Sequence, residues 1–176
     1  MINYEALFNV SYGMYIVCSG NSEAGNGYIS NTVFQVTSDP PKFATACNKE
    51  NCTAGIISKT GAFSVSVLSS AVSPELFGRF GYRSGRDYGK LQGLSVKYGE
   101  TGVPIVLNDS VAVFECRLTD TVDAGTHLIF IGEIIHSEVI DGSAEPLTYL
   151  QYRKVRKGSA PKNAPTYIDR SKLTAS

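Results

Sequence analysis

Ser30, Asn31 and Thr32 interrupt an otherwise β-branched and aromatic run from Gly27 that ends in a rigid Pro40-Pro41 turn. Three short polar side chains and successive backbone N–H groups suit a flat heterocycle whose edge carries carbonyl and ring-nitrogen acceptors; an ordinary solvated strand end has the same composition. Asn48 to Thr53 is a second candidate. Backbone N–H groups at a helix N-terminus, with Lys49 and the Thr53 hydroxyl, make a pocket for a phosphate, or else a plain N-cap. The glycine-punctuated stretch from Gly78 to Gly93, carrying Arg79, Arg83, Arg86 and Lys90, either adds positive charge to that phosphate, clamps a dinucleotide, or is simply a solvated basic loop. His127 opens a strand directly after a Gly-containing turn, where it reaches either a ligand at the sheet edge or solvent.

Other chemistries find no support in the spacing. The chain has no Gly-x-Gly-x-x-Gly after a strand, no phosphate-loop Gly-Lys-Ser/Thr, no Gly-x-Ser-x-Gly elbow and no His-Glu-x-x-His. His127 and His136 fall in one expected strand with side chains on opposite faces, so they do not share a metal, and no metal site is expected. Cys47 and Cys52 lack redox-pair spacing, and Cys18 and Cys116 sit on separate strands. All four read as buried inert thiols, with Cys47 or Cys52 beside a redox cofactor as the alternative. Glu115 and Glu133 are expected to face each other across a hairpin in a structural role.

The elements that must position these groups follow from periodicity and punctuation. A short helix from Tyr4 to Ser11 leads to a strand over Met14–Ser19, then a polar loop to Gly27 and the interrupted strand. Lys42 to Cys47 reads as an interior strand, and Ala54–Lys59 as a helix capped by Asn51 or Asn48. Phe63–Leu68 alternates cleanly, and Ser73-Pro74-Glu75 starts a helix with cap, proline and carboxylate in their favoured places. Val103–Leu107 is a short strand. Val111–Thr121 and His127–Val139 form a long hairpin about Asp123-Ala124-Gly125. From Leu147 the sequence turns basic and loses apolar periodicity, which reads as an arm and not a core element. Strands outnumber helices without a βαβ rhythm, so the expected class is mainly β: an antiparallel barrel with short helices.

The 176 residues suffice for one domain with a continuous core. Lys plus Arg equal Asp plus Glu at 16 each, leaving no net field to draw nucleic acid or an anionic membrane. Without a signal segment or a long apolar stretch the chain is expected to be cytoplasmic, its cysteines thiols.

The order of these pieces resembles the flavin reductase-like, FMN-binding split-barrel family. The residues that carry the resemblance are Asn26-Gly27-Tyr28-Ile29-Ser30-Asn31-Thr32, Thr37-Ser38-Asp39-Pro40-Pro41, Asn48-Lys49-x-Asn51-Cys52-Thr53, and Gly61 to Leu68. Phe80-Gly81-Tyr82-Arg83-Ser84-Gly85-Arg86-Asp87-x-x-Lys90 is similar to the branch of the flavoredoxins and the high-molecular-weight rubredoxin flavin reductases, and Gly125-Thr126-His127 through Gly132-Glu133-Ile134 continues the match. The resemblance implies a Greek-key split barrel over residues 1–150, with 151–176 a basic arm that packs on a partner subunit of a homodimer. It implies ring and ribityl contacts at Tyr28, Ser30, Asn31 and Thr32, phosphate contacts at Asn48, Lys49 and Thr53, and supporting contacts at Ser84, Arg86 and Lys90. Gly125-Thr126-His127 stands where the family has Gly-Asp-His and keeps the histidine beside the nicotinamide. The implied activity is hydride transfer from NADH or NADPH to FMN and electron delivery to an acceptor such as a rubredoxin-like protein. A flavoredoxin-like carrier without direct NAD(P)H use, or a non-enzymatic FMN-binding barrel, are the alternatives.

Overall fold

The computed structural model of the chain describes residues 2–85 and 89–173. After a 3-10 turn at Tyr4–Asn9, the elements run β1 (Tyr15–Ser19), β2 (Asn26–Ser30), β3 (Val33–Ser38), β4 (Pro41–Asn48), α1 (Cys52–Thr60), β5 (Ala62–Leu68), α2 (Pro74–Gly81), β6 (Val96–Tyr98), β7 (Pro104–Val106), β8 (Ser110–Asp123), β9 (His127–Val139) and α3 (Tyr149–Lys154), with a last 3-10 turn at Arg170–Lys172. Seven strands form one antiparallel sheet in the order β2-β1-β5-β8-β9-β4-β3, while β6 and β7 pair separately. Strands adjacent in the sheet but distant in the chain, β1 beside β5 and β4 beside β9, make the connectivity Greek-key in type.

This order forces closure. β2 and β3 stand at opposite ends of the sheet, yet only Asn31 and Thr32 separate them in the chain. Three peptide steps span at most roughly 11 Å, whereas seven flat strands would extend about 29 Å. The sheet therefore curls until its edges meet. At the seam Tyr28 OH lies 3.2 Å from Thr45 Oγ1 and donates to the Ala46 carbonyl, and Ala46 N–H donates to the Thr32 carbonyl at 3.3 Å. The polar interruption that looked like a poor way to build a strand is thus the joint of a barrel.

Alternation along the strands divides the core into two. Val17, Phe63, Val65, Cys116 and Phe130 face the barrel interior, joined by Ile57 from α1, while Ile16, Cys18 and Leu68 point outward under α2 and α3, against Phe77, Phe80, Tyr149 and Tyr152. On the outer face of β5, Ser64 and Ser66 donate to the carbonyls of Pro104 and Val106 at 2.6 and 2.8 Å and so hold β7 across the barrel. Gly27 allows the closest approach here: a Cβ there would lie 2.4 Å from Cys18 Sγ and 2.9 Å from the Val17 carbonyl. No helix among the described residues is long and apolar enough to cross a membrane.

The local expectations for caps hold. Asn51, and not Asn48, caps α1, Gly61 ends it at φ +69°, and Ser73 caps α2 with Pro74 at its start. Two expectations need correction. The segment from Leu147 is a core element at its outset: Thr148 and Gln151 form a capping box for α3, which buries Tyr149 and Tyr152 and straddles residue 150. Two of its basic residues are engaged, Arg156 donating to the carbonyls of Val72 and Ser70 at 2.7 Å each and Arg153 stacked 3.7 Å above the Phe8 ring. Glu115 and Glu133 do not oppose each other either. The hairpin pairs Glu115 with His136 and Arg117 with Glu133.

Candidate functional site

A cavity of about 400 Å³ opens at the barrel seam, in the size range of small-molecule sites. Four pieces of chain converge on it: the end of β2 with Tyr28, Ser30 and Asn31; the end of β4 and start of α1; the segment after α2 from Tyr82 to Gly85, with Lys90; and the C-terminal stretch from Tyr149 to Thr166. Barrel closure brings the first two together, because the β2–β3 joint lies over β4. Helix α2 brings the third, since Phe80 anchors it against Cys18 and Ile16 of the outer core.

The β2 end presents a connected hydroxyl set. Ser30 Oγ accepts from Thr32 N–H at 3.2 Å and lies 3.3 and 3.4 Å from the hydroxyls of Thr32 and Thr45. Such hydroxyls can turn to donate or accept, which suits a ring edge bearing both kinds of group. Tyr28 is buried, and burial holds its phenol well above the ordinary tyrosine value, so it stays neutral and acts as a donor within the seam.

Lys90 supplies the site's buried cation. Only 4% exposed, its ammonium donates to the Gly27 carbonyl at 2.8 Å and lies 3.4 Å from the Phe80 carbonyl. Desolvation lowers its pKa, opposed by the neighbouring thiols of Cys52, Cys18 and Cys47. Cys52, at the first turn of α1, faces the cavity and accepts from Asn26 Nδ2 at 2.6 Å. Cys47 lies deeper, its thiol pushed up to about 12 mainly by burial, so its sulfur is protonated and inert at neutral pH.

At the opposite rim, Asn48 and His127 are direct partners in the β4–β9 ladder. Asn48 Nδ2 and His127 Nε2 both reach the carbonyl oxygen of Asn163, at 3.3 and 3.1 Å. A carbonyl only accepts, so His127 carries its proton on Nε2, and Nδ1 then accepts from the Thr126 hydroxyl at 2.8 Å. The Asn163 carbonyl thus fixes the tautomer, and the Thr126 hydroxyl, able to donate or accept, complies with it.

Of the residues expected from the sequence, Tyr28, Ser30, Asn31, Asn48, Ser84 and Lys90 line the cavity. His127 reaches its rim through Asn163. Thr32 supports Ser30 from behind. Lys49 is turned away into an ion pair with Asp123 at 2.7 Å. Thr53 faces the interior, its hydroxyl buried without a hydrogen-bond partner among the described residues. Arg86 lies outside the described residues. Sequence reasoning missed the aromatic wall of Phe77, Tyr82 and Tyr152, where Tyr152 stacks on Phe77 at 4.6 Å and its hydroxyl meets that of Tyr82 at 2.6 Å. Leu147, Tyr149 and Tyr152, with Thr148 and Gln151 as cap, were the available signal. It also missed Asn163 and Thr166, for which no local pattern exists.

The residues present fit a flavin mononucleotide. The polar β2 end matches a ring edge with mixed donors and acceptors, the aromatic wall matches a flat apolar face, and the α1 N-terminus with Lys90 provides positive potential for a phosphate.

The Flavin reductase like domain family model matches residues 7–159. The chain is 42% identical over 168 residues to a ferric-chelate reductase (NAD(P)H) of Archaeoglobus fulgidus, covering 96% of this chain and 99% of that protein. It is 42% identical over 163 residues to a high molecular weight rubredoxin of Moorella thermoacetica, covering 93% of this chain and 71% of the relative. Among solved structures, a flavoredoxin from Methanosarcina acetivorans superimposes with a TM-score of 0.68 at 25% identity, over 73% of this chain and 69% of that one. A seam cavity lined by the β2 hydroxyls, a matching barrel and this extent of identity lead to one assignment: the chain belongs to the flavin reductase-like domain family.

Proposed function

We propose that the protein binds FMN in the seam cavity and acts as an NAD(P)H-dependent flavin reductase that passes electrons to an acceptor. The convergence of the Ser30–Asn31 strand end, the α1 N-terminus and Lys90 on one cavity carries this reading. Bound FMN supplies the hydride-accepting chemistry, and the chain holds and surrounds it. Ser30, Asn31 and Thr32 orient the polar ring edge, and their preorganised donors favour negative charge developing there. Lys90, fixed on the Gly27 carbonyl, adds positive potential from a water-poor position. Tyr82, Tyr152 and Phe77 exclude water from the apolar face. His127, with its proton on Nε2, donates to an acceptor oxygen of the incoming hydride donor. No side-chain acid or nucleophile is needed for this transfer. Asn48, Lys49, Thr53, Ser84 and Arg86 are assigned to the phosphate and its surroundings; for Lys49 this requires release from Asp123.

The names of the relatives point to two acceptor classes, a ferric chelate or a rubredoxin-like protein. One observation favours a second reading, a carrier reduced by another protein: Asn163 already occupies His127 Nε2. We further propose a homodimer, supported by the free edge of β3 with Phe34 and Val36 59% and 44% exposed, and a cytoplasmic setting, in keeping with four free thiols. Anaerobic titration of the FMN-loaded protein tests the function. Bleaching of the oxidised flavin band by NADH or NADPH is expected; bleaching only by a protein reductant selects the carrier, and failure to bind FMN removes both.

A further inference from the structure

Residues 159–166 cross the mouth of the cavity between two moorings. At one end Gly158 N–H donates to the Tyr152 carbonyl at 3.1 Å, and a Cβ at Gly158 would lie 2.0 Å from the Tyr152 ring, so this point is packed tight. At the other, Lys172 lies over the Tyr4 ring at 5.0 Å. Between them Pro161, Lys162, Asn163 and Pro165 are exposed and bury little apolar surface.

Three side-chain hydrogen bonds hold the crossing segment down. Asn31 Nδ2 donates to Thr166 Oγ1 at 2.7 Å, and Asn48 Nδ2 and His127 Nε2 donate to the Asn163 carbonyl at 3.3 and 3.1 Å. Each donor belongs to a residue assigned to ligand binding, and none is a core group with no other use. The Asn163 carbonyl therefore sits where an acceptor oxygen of the hydride donor would meet His127, and it also engages Asn48, assigned to the flavin phosphate.

We propose that residues 159–166 form a latch that competes with the hydride donor: the Asn163 carbonyl holds the acceptor position at His127 Nε2, and the carboxamide oxygen of a nicotinamide displaces it. This rests on the reading of the cavity as a flavin and nicotinamide site. Closure lowers the apparent affinity for the donor by the fraction of molecules that are open. Breaking one anchor, or loosening the proline-stiffened chain so that its open state gains entropy, raises that fraction.

The test uses full-length, FMN-loaded protein and two variants, Thr166→Val, which removes the acceptor of Asn31, and Pro161→Gly/Pro165→Gly. KM for NADH or NADPH is expected to fall by about threefold to tenfold in both, the scale of one or two net hydrogen bonds, while the FMN dissociation constant changes by less than about twofold. Tryptic cleavage after Lys162 gives a readout independent of turnover. In the native protein, unreactive NAD+ or NADP+ should accelerate it, because the displaced segment becomes available to protease. Flavin reduction seen only in the loosened variants would also support the latch. An unchanged KM, or cleavage indifferent to NAD+ and NADP+, overturns it while leaving the reductase reading intact wherever the native flavin bleaches. If nicotinamide reduces the flavin in neither native nor loosened protein, the latch and the reading fall together.

Discussion

Asn48, the last residue of β4, and His127, the first of β9, lie directly opposite each other in the ladder and share one acceptor, the Asn163 carbonyl. Seventy-eight intervening residues include two helices and four strands; register alone brings the two donors together.

His127→Ala is expected to raise KM for the nicotinamide donor and to slow anaerobic flavin reduction by roughly tenfold, the scale of a lost hydrogen bond in a low-dielectric site. The FMN dissociation constant should change by less than about twofold. His127→Gln, which keeps a donor, recovers part of the rate. Stopped-flow reduction monitored on the flavin band measures this, and equal loss in both variants would argue against donation by Nε2.

Lys90→Met separates ligand binding from stability. The ammonium is buried against the Gly27 carbonyl, and its desolvation already works against the charged form. Removing it should change folding stability by no more than about 1 kcal/mol, since a well-packed apolar replacement offsets a buried charge. It should weaken FMN by about tenfold, and riboflavin by less, as expected where the lost interaction is with phosphate. Fluorescence titration with the two flavins distinguishes these effects.

Alkaline pH should destabilise the fold through its thiols. Cys18, Cys47 and Cys116 are each raised to about 12 from 9.0, in every case chiefly by burial. Between those values the unfolded chain has lost protons that the folded one retains, so stability falls as pH rises, by about 1 kcal/mol per pH unit for each thiol. Lys90 acts in the opposite sense: its lowered pKa makes the folded state release a proton first, adding stability as pH approaches 10.5. Three thiols outweigh one amine. Urea unfolding under reducing conditions should show a midpoint falling from pH 9 to pH 11, with a shallower fall in Cys116→Ala.

Glu115 is 1% exposed, and its carboxylate accepts from Glu100 N–H, Thr101 N–H and the Thr101 hydroxyl at 3.1, 2.6 and 2.6 Å. Glu115→Ala leaves two part-buried backbone donors without their acceptor and should cost about 2–3 kcal/mol. Thr101→Val, which removes only the hydroxyl, should cost about 1 kcal/mol. Because this loop is remote from the seam cavity, flavin affinity in either folded variant should stay within about twofold of native.

Much of the scaffold was legible because its signals are local. Alternation in Phe63–Leu68 assigns Phe63 and Val65 to one face and Ser64 and Ser66 to the other, as observed. Ser73-Pro74 starts α2 and Asn51 caps α1 through contacts spanning a few residues. The site was legible in part for the same reason. Ser30, Asn31 and Lys90 drew attention by type and punctuation, and each lines the cavity. Lys49 drew attention equally, yet its partner is Asp123, a choice made at the far end of the β8–β9 hairpin.

By itself, the sequence determined the strand faces, the helix caps and the polar joint between β2 and β3, since each depends on neighbours within a turn or a pleat. Tertiary structure decided which of those polar residues meet. The register set at the β8–β9 turn sends Glu115 to His136, not Glu133; barrel closure lays Ser30 beside Thr45; and the return of the chain after Tyr152 places the Asn163 carbonyl on His127. A one-residue slip in any of these pairings would reverse every side chain beyond it, and no local pattern records that choice.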